Sequence, residues 1–540
     1  MTIRPRQLIL ALTLVLAACS PTPAPKSSGA SVTDSAAAAG APPVAGSAHG
    51  DGIAWRKGDV DAAFVAAKTD NKPLFLYWGA VWCPPCNQVK ATLFNRQDFI
   101  ERSRYFVPVY IDGDSPRAQQ LGARFHVVGY PTMILFRPDG SEVMRLPGEA
   151  DPEQYMRMLT LGINGARPVK ETLAAALSEG RAHANLSADD WRMLAYYSWV
   201  TDEEQLLPEK SLAPTLQRLA RACPADQRET ALRLELKALA AAATAKGAKS
   251  VPDSAASARL RLVLADPALT RENFDTLTEY AGAIAGFATA PNSPERARLV
   301  IAWSDALERL VADASLSTVD RLTAVTGEVE LARLDLKDRP LPAPLLKTVR
   351  DEVARADRIT TDPYARQAVI DAAGDALVRA NLLDEAEKLF RGELTRSQSP
   401  YYFMVDLAEV AKKRGDKAGA LDWYAQSYAA AQGPATRVQW GARYVNARVE
   451  LAPQDVVGIE RAAASVIGAL DPVPDTFYGR NLRSLERMGK QLAEWSQDPA
   501  QRAALARLRA QMDGVCGKLP AGDPTRAKCA GALSSPEDRA

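Results

Sequence analysis

The apolar run Pro73-Leu74-Phe75-Leu76-Tyr77-Trp78 leads, after Gly79-Ala80-Val81, into Trp82-Cys83-Pro84-Pro85-Cys86. The run reads as a buried strand, and two cysteines at this spacing, at the start of a helix, restrict the folds that can hold it. Cys83 falls at or just before the first turn and Cys86 one turn later. That separation suits a disulfide, whose Cα atoms lie about 5.5 Å apart. A helix N-terminus carries partial positive charge and unpaired N–H groups, and both favour a thiolate on Cys83. Pro84 and Pro85 fit a first turn, where missing N–H donors cost little. Two plainer readings compete, half of a zinc site and a structural disulfide. Zinc needs two further Cys or His ligands at recognisable spacing, and the chain has no second such pair. The order strand, motif, helix favours redox chemistry.

Further along lies Gly129-Tyr130-Pro131-Thr132, then a second apolar run, Met133-Ile134-Leu135-Phe136. Together these segments resemble the thioredoxin family. The resemblance implies an α/β thioredoxin-like domain over residues 52–163, in which Cys83 is the nucleophile, Cys86 the resolving cysteine, and the two form a redox-active disulfide. It also implies a cis peptide at Tyr130–Pro131 beside the cysteines, with the Tyr130 backbone pairing with a bound substrate chain as an added strand. An ordinary trans turn is the alternative. The entry Lys72-Pro73 resembles that of periplasmic disulfide-interchange reductases. Within the domain the pattern predicts helices at Asp59–Lys68, Asn87–Phe94, Gln119–Phe125 and Pro152–Leu161. It places a strand at Phe106–Ile111 and a turn at Pro138-Asp139-Gly140.

Two departures stand out. The family buries an acid six residues before the first cysteine, paired with a lysine; here those positions hold Tyr77 and, approximately, Pro108. Losing both is coherent, because one buried charge without its partner is costly. Resolution by Cys86 is then expected to be slow near neutral pH. No cation lies between the cysteines, so the couple leans toward reduction or isomerisation over strong oxidation. His126, the only histidine here, reads as a surface or hinge residue.

At 540 residues the chain exceeds one domain. A formal net charge of +1 without a basic run argues against nucleic-acid binding. Arg4 and Arg6, the short apolar stretch Leu8–Leu16, and Leu16-Ala17-Ala18-Cys19 resemble a bacterial lipoprotein signal ending at its lipobox. That resemblance makes Cys19 the lipid attachment site, residues 1–19 the signal, and the periplasm the address, with Ser20 favouring the outer membrane. A plain signal peptide with a chance cysteine is the alternative. Residues 20–51, rich in Ala, Pro, Ser and Gly, read as a tether. In an oxidising compartment, Cys516 and Cys529 are expected to form a structural disulfide within the segment 513–540. Cys223 reads as a buried core cysteine.

From residue 168 to 512, Ala, Leu, Arg and Glu dominate with helical periodicity. Ala386 and Ala420 are 34 residues apart, as are Phe390 and Tyr424. This is the tetratricopeptide period, and it places the clearest units at about 368–432. The expectation is a large all-α domain, a degenerate α-solenoid; an irregular helical bundle is the alternative. No nucleophile–base or metal constellation stands out there, His183 included. The chain therefore reads as a lipid-anchored thiol–disulfide oxidoreductase without cofactor or metal. Its expected partners are envelope proteins carrying disulfides or thiols, a redox protein that regenerates Cys83/Cys86, and the membrane through Cys19. The competing reading is an envelope scaffold, built on the helical array around a vestigial redox module.

Overall fold

β2 (Leu74–Gly79) is buried along its whole length because it has neighbours on both edges. It pairs in parallel with β3 (Val107–Asp112) and antiparallel with β4 (Thr132–Phe136). β1 (Arg56–Lys57) and β5 (Glu142–Leu146) complete a five-stranded sheet in the order β1-β3-β2-β4-β5. The register sets Trp78, near the end of β2, opposite both Ile111 and Thr132. The segments after β2 and before β4 therefore meet at one edge of the sheet. The computed structural model describes residues 52–146, 152–164, 167–178, 185–199, 202, 206–336 and 339–534. Cys19, the tether 20–51 and His183 lie outside them.

Alternation along β2 feeds two cores. Leu74, Leu76 and Trp78 face a cluster with Ala63, Val109 and Phe125. The opposite face, Phe75 and Tyr77, joins a cluster that continues through Tyr155 into Trp191, Leu216 and Leu234. The sheet and the first helices of the helical region thus share one core, and the described residues group as one compact unit.

α1 (Val60–Thr69) starts where the Asp59 carboxylate accepts from the Ala62 N–H at 2.9 Å. α2 (Pro84–Val89) runs into a π-helical turn at Lys90–Phe94, then α3 (Gln97–Arg102), which the sequence pattern does not mark. α4 (Ala118–Arg124) and α5 (Pro152–Ile163) complete the domain.

Beyond it the described residues are helical, from Val169–Leu177 to Thr525–Gly531. Helix Pro363–Arg379 packs on Leu383–Glu393, and Pro400–Lys413 on Lys417–Ala430. A Cβ on Gly374 would lie 2.0 Å from the Phe390 ring, so any side chain there would force the ring to move. Ala386 and Ala420 are wholly buried. Cys516 and Cys529 are disulfide-bonded, joining the helix Pro499–Cys516 to Thr525–Gly531. Cys223, just past the helix Glu209–Ala222, is a free, buried thiol whose pKa burial pushes up to about 11.

Candidate functional site

Cys83 is the N-cap of α2, and Pro84 and Pro85 fill the first helical positions. The Cys86 N–H points back to Cys83 Sγ at 3.2 Å. The two cysteines are joined, with Cα atoms 5.2 Å apart. The helix end thus directs an N–H donor and its dipole at Cys83 Sγ, an arrangement that favours negative charge on that sulfur when the bond opens. The Tyr130–Pro131 peptide is cis. The loop leading to it is held from both sides. Arg145, wholly buried on β5, donates to the carbonyls of Phe125 (2.7 Å) and His126 (3.2 Å). From the helical region, Arg483 donates to the carbonyls of Val127 (2.9 Å) and Val128 (3.3 Å). His126 itself is exposed, with φ of 50°.

The disulfide does not face water. Cys83 is 2% and Cys86 0% exposed, within a cluster that includes Tyr401, Val405 and Trp440 of the helical region. Trp82 anchors this seam. Its indole N–H donates to Thr436 Oγ1 at 2.9 Å, its carbonyl accepts from the Gln367 amide at 3.2 Å, and its ring meets Trp440 edge-on at 4.7 Å. Thr436 in turn donates through its N–H to Asp114, just past β3, at 2.8 Å. Burial pushes the Asp114 carboxyl up to about 6, although the Thr436 bonds oppose the shift. The Gln119 side-chain oxygen accepts from the N–H groups of Arg480 and Asn481. The Arg480 guanidinium lies over Tyr130 at 4.4 Å, and burial lowers its pKa. Close approach at this seam selects glycine twice. A Cβ on Gly433 (φ 90°) would fall 2.4 Å from Asp114, and one on Gly479 (φ 52°) 2.8 Å from the Gln119 carbonyl.

Behind the disulfide, Tyr77 occupies the position of the family's acid. It is buried, its hydroxyl lies 3.5 Å from the Cys86 carbonyl, and burial together with the Asp112 charge raises its pKa. Tyr110 stacks on it at 5.2 Å and donates to Asp112 at 3.1 Å. Lys90 is buried with its ammonium 5.7 Å from the Tyr110 ring centre; burial lowers its pKa and the Asp112 charge opposes that. A lysine and a carboxylate therefore do stand around the Tyr77–Tyr110 pair, on other elements than the family pattern indicates. Lys90 lies four residues beyond Cys86, which sets both on one face of a helical segment, and this spacing was the available signal.

Residues 60–162 match the family model described as thioredoxin-like domain. A thioredoxin of Mycobacterium tuberculosis is 32% identical over 101 residues, 18% of this chain and 83% of that protein. The thiol:disulfide interchange protein DsbD of Pseudomonas fluorescens is 26% identical over 106 residues, 19% of this chain and 18% of that one. Among solved structures, a thioredoxin from Thermus thermophilus aligns with 20% of this chain and 86% of its own, at 24% identity and a TM-score of 0.19.

Proposed function

This chain belongs to the thioredoxin family and is a thiol–disulfide oxidoreductase, and we propose that it reduces or isomerises disulfides of envelope proteins with Cys83 as nucleophile and Cys86 as resolving cysteine. In the reductive direction the Cys83 thiolate attacks one substrate sulfur. The substrate S–S bond breaks, and the departing thiolate takes up a proton. Cys86 then loses its proton and its sulfur attacks Cys83 Sγ. The mixed disulfide breaks, and the second substrate thiolate leaves. Two electrons pass from the enzyme dithiol to the substrate. The enzyme is left as the Cys83–Cys86 disulfide and needs an external dithiol protein to reduce it. Pro131 and the Tyr130 backbone hold the substrate chain beside Cys83. We assign the protein to the periplasm, tethered through a lipidated Cys19 to the outer membrane. The helical region, read as a degenerate tetratricopeptide-like array, serves to select substrate or partner.

The observation that carries this reading is the bonded Cys83–Cys86 pair at a helix start beside cis-Pro131. Trapping tests it. With Cys86→Ser, envelope proteins should accumulate as mixed disulfides on Cys83, and none should form with Cys83→Ala. An empty trap would overturn the reading. The scaffold alternative draws on one observation, the burial of both sulfurs under the helical region. It requires partner binding undisturbed by Cys83→Ala.

A further inference from the structure

Two cavities border the residues next to the disulfide, each walled in part by the helical region. One, of about 460 Å³, opens beside Trp82 and is lined largely by charged and polar side chains, Glu409, Arg443, Arg480 and Arg487 among them. The other, of about 420 Å³, lies against Pro85, Tyr130 and Pro131, the residues next to the disulfide. Its far wall is mostly apolar and comes from the helical region, including Trp199, Leu216, Ala241 and Tyr280.

The charges in this second chamber are already engaged. Asp275 takes two bonds from Arg233, at 3.0 and 2.7 Å, and the Lys237 ammonium donates to the Tyr197 carbonyl at 3.3 Å. Glu279 is also partnered. The lining is therefore suited to an apolar side chain more than to an anionic headgroup. The volume is that of a small-ligand site, about 300–1,000 Å³. A folded partner needs about 800 Å² of free surface, and the helical region already occupies the surface around Cys83. Tyr130 offers backbone as well. The ladder between β2 and β4 stops at Thr132, and the Tyr130 N–H and C=O take no part in it.

Resting on the oxidoreductase reading, we propose that the substrate is an extended, unfolded peptide segment whose apolar residue beside the cysteine enters this chamber, in place of a folded protein surface. The segment lies along the Tyr130 backbone and brings its sulfur toward Cys83. Neither enzyme sulfur lines the chamber, so the substrate sulfur reaches Cys83 from beside the chamber and not from within it. The bond changes are those of the reductive cycle, with the enzyme dithiol as electron source.

The test uses the full chain with dithiothreitol as reductant and three substrates: an unstructured leucine–cysteine peptide with a fluorogenic disulfide, insulin, and bis(2-hydroxyethyl) disulfide. The peptide should be reduced with a kcat/KM at least tenfold above insulin. Ala241→Trp and Leu212→Trp fill the chamber from two different helices. Each should cut peptide kcat/KM at least tenfold while leaving the equilibrium of Cys83–Cys86 with dithiothreitol unchanged. Should both variants fail to fold, the same peptide with serine for cysteine must competitively inhibit the wild-type protein. Insulin reduced as fast as the peptide, full turnover in both folded filling variants, or no inhibition overturns the inference. Cys83→Ser separates the two levels. If it matches wild type, the redox reading falls; if it is inactive while the filled variants are not, only the chamber assignment falls.

Discussion

Burial does not distinguish the two disulfides of this chain. Cys83 and Cys86 are 2% and 0% exposed, Cys516 and Cys529 6% and 0%. Their surroundings do. Cys516–Cys529 lies inside one apolar cluster of the C-terminal helices and closes a separation of 13 residues. Cys83–Cys86 spans three residues, has a backbone N–H directed at one sulfur, and sits where two regions of the chain meet. The first bond restrains the unfolded chain. The second has a backbone N–H donor aimed at one sulfur and a wall contributed by two regions of the chain. The same bond thus becomes a staple or a reactive group according to what faces it.

The largest expected effect breaks that comparison from one side only. With Cys83 as the proposed nucleophile, Cys83→Ser should lower dithiothreitol-driven disulfide turnover by more than about a thousandfold, because no covalent path is left. The paired variant Cys516→Ser with Cys529→Ser should leave turnover intact and cost about 3 kcal/mol of stability, the loop-closure value for a loop of this size. Urea denaturation measures the second effect. A comparable loss of turnover in the paired variant would mean the staple also shapes the site.

Next in size is the pH dependence of the seam. Asp114 has a carboxyl pKa of about 6 in the folded chain against an ordinary 3.8. Between those values the folded state keeps a proton that the unfolded chain has lost. Stability from this group is therefore complete below about pH 4, declines as pH rises to about 6, and is level above. The decline is roughly 3 kcal/mol. Asp114→Asn keeps an acceptor for Thr436 and should flatten this part of the stability profile. An unchanged slope between pH 4 and 6 would place the titration elsewhere.

The domain around the disulfide was legible because short strong patterns specify it: an apolar strand, two cysteines at a helix start, and a proline loop before a second strand. Asp59 as a cap and the Pro138-Asp139-Gly140 turn are equally local signals. Helix Gln97–Arg102 is not legible, since six residues with two apolar side chains carry too little periodicity. The cover over the site is not legible at all. Gln367, Thr436 and Arg480 lie hundreds of residues from Trp82, on helices whose sequences give polar residues no sign of facing another region. A small residue placed to meet an aromatic, as Gly374 meets Phe390, is a local code. It says nothing of which face the array turns toward the disulfide.

The smallest effect tests whether the two bonds differ because one wall can open. Gln367 is nearly buried; its amide nitrogen donates to the Trp82 carbonyl and its oxygen accepts from Ser397 at 2.6 Å. Gln367→Met keeps the length and removes both bonds, at about 1 kcal/mol. If reductant reaches Cys83–Cys86 only when the seam parts, that loss raises the open fraction about fivefold, the factor that 1 kcal/mol carries in an equilibrium constant. Reduction of Cys83–Cys86 by dithiothreitol should then quicken severalfold, while that of Cys516–Cys529, remote from Gln367, should not change. Mass spectrometry after timed alkylation follows both bonds in one sample. An equal acceleration of the two would point to global loosening. No acceleration of either would mean that small reductants reach the redox disulfide through the flanking cavities with the seam closed.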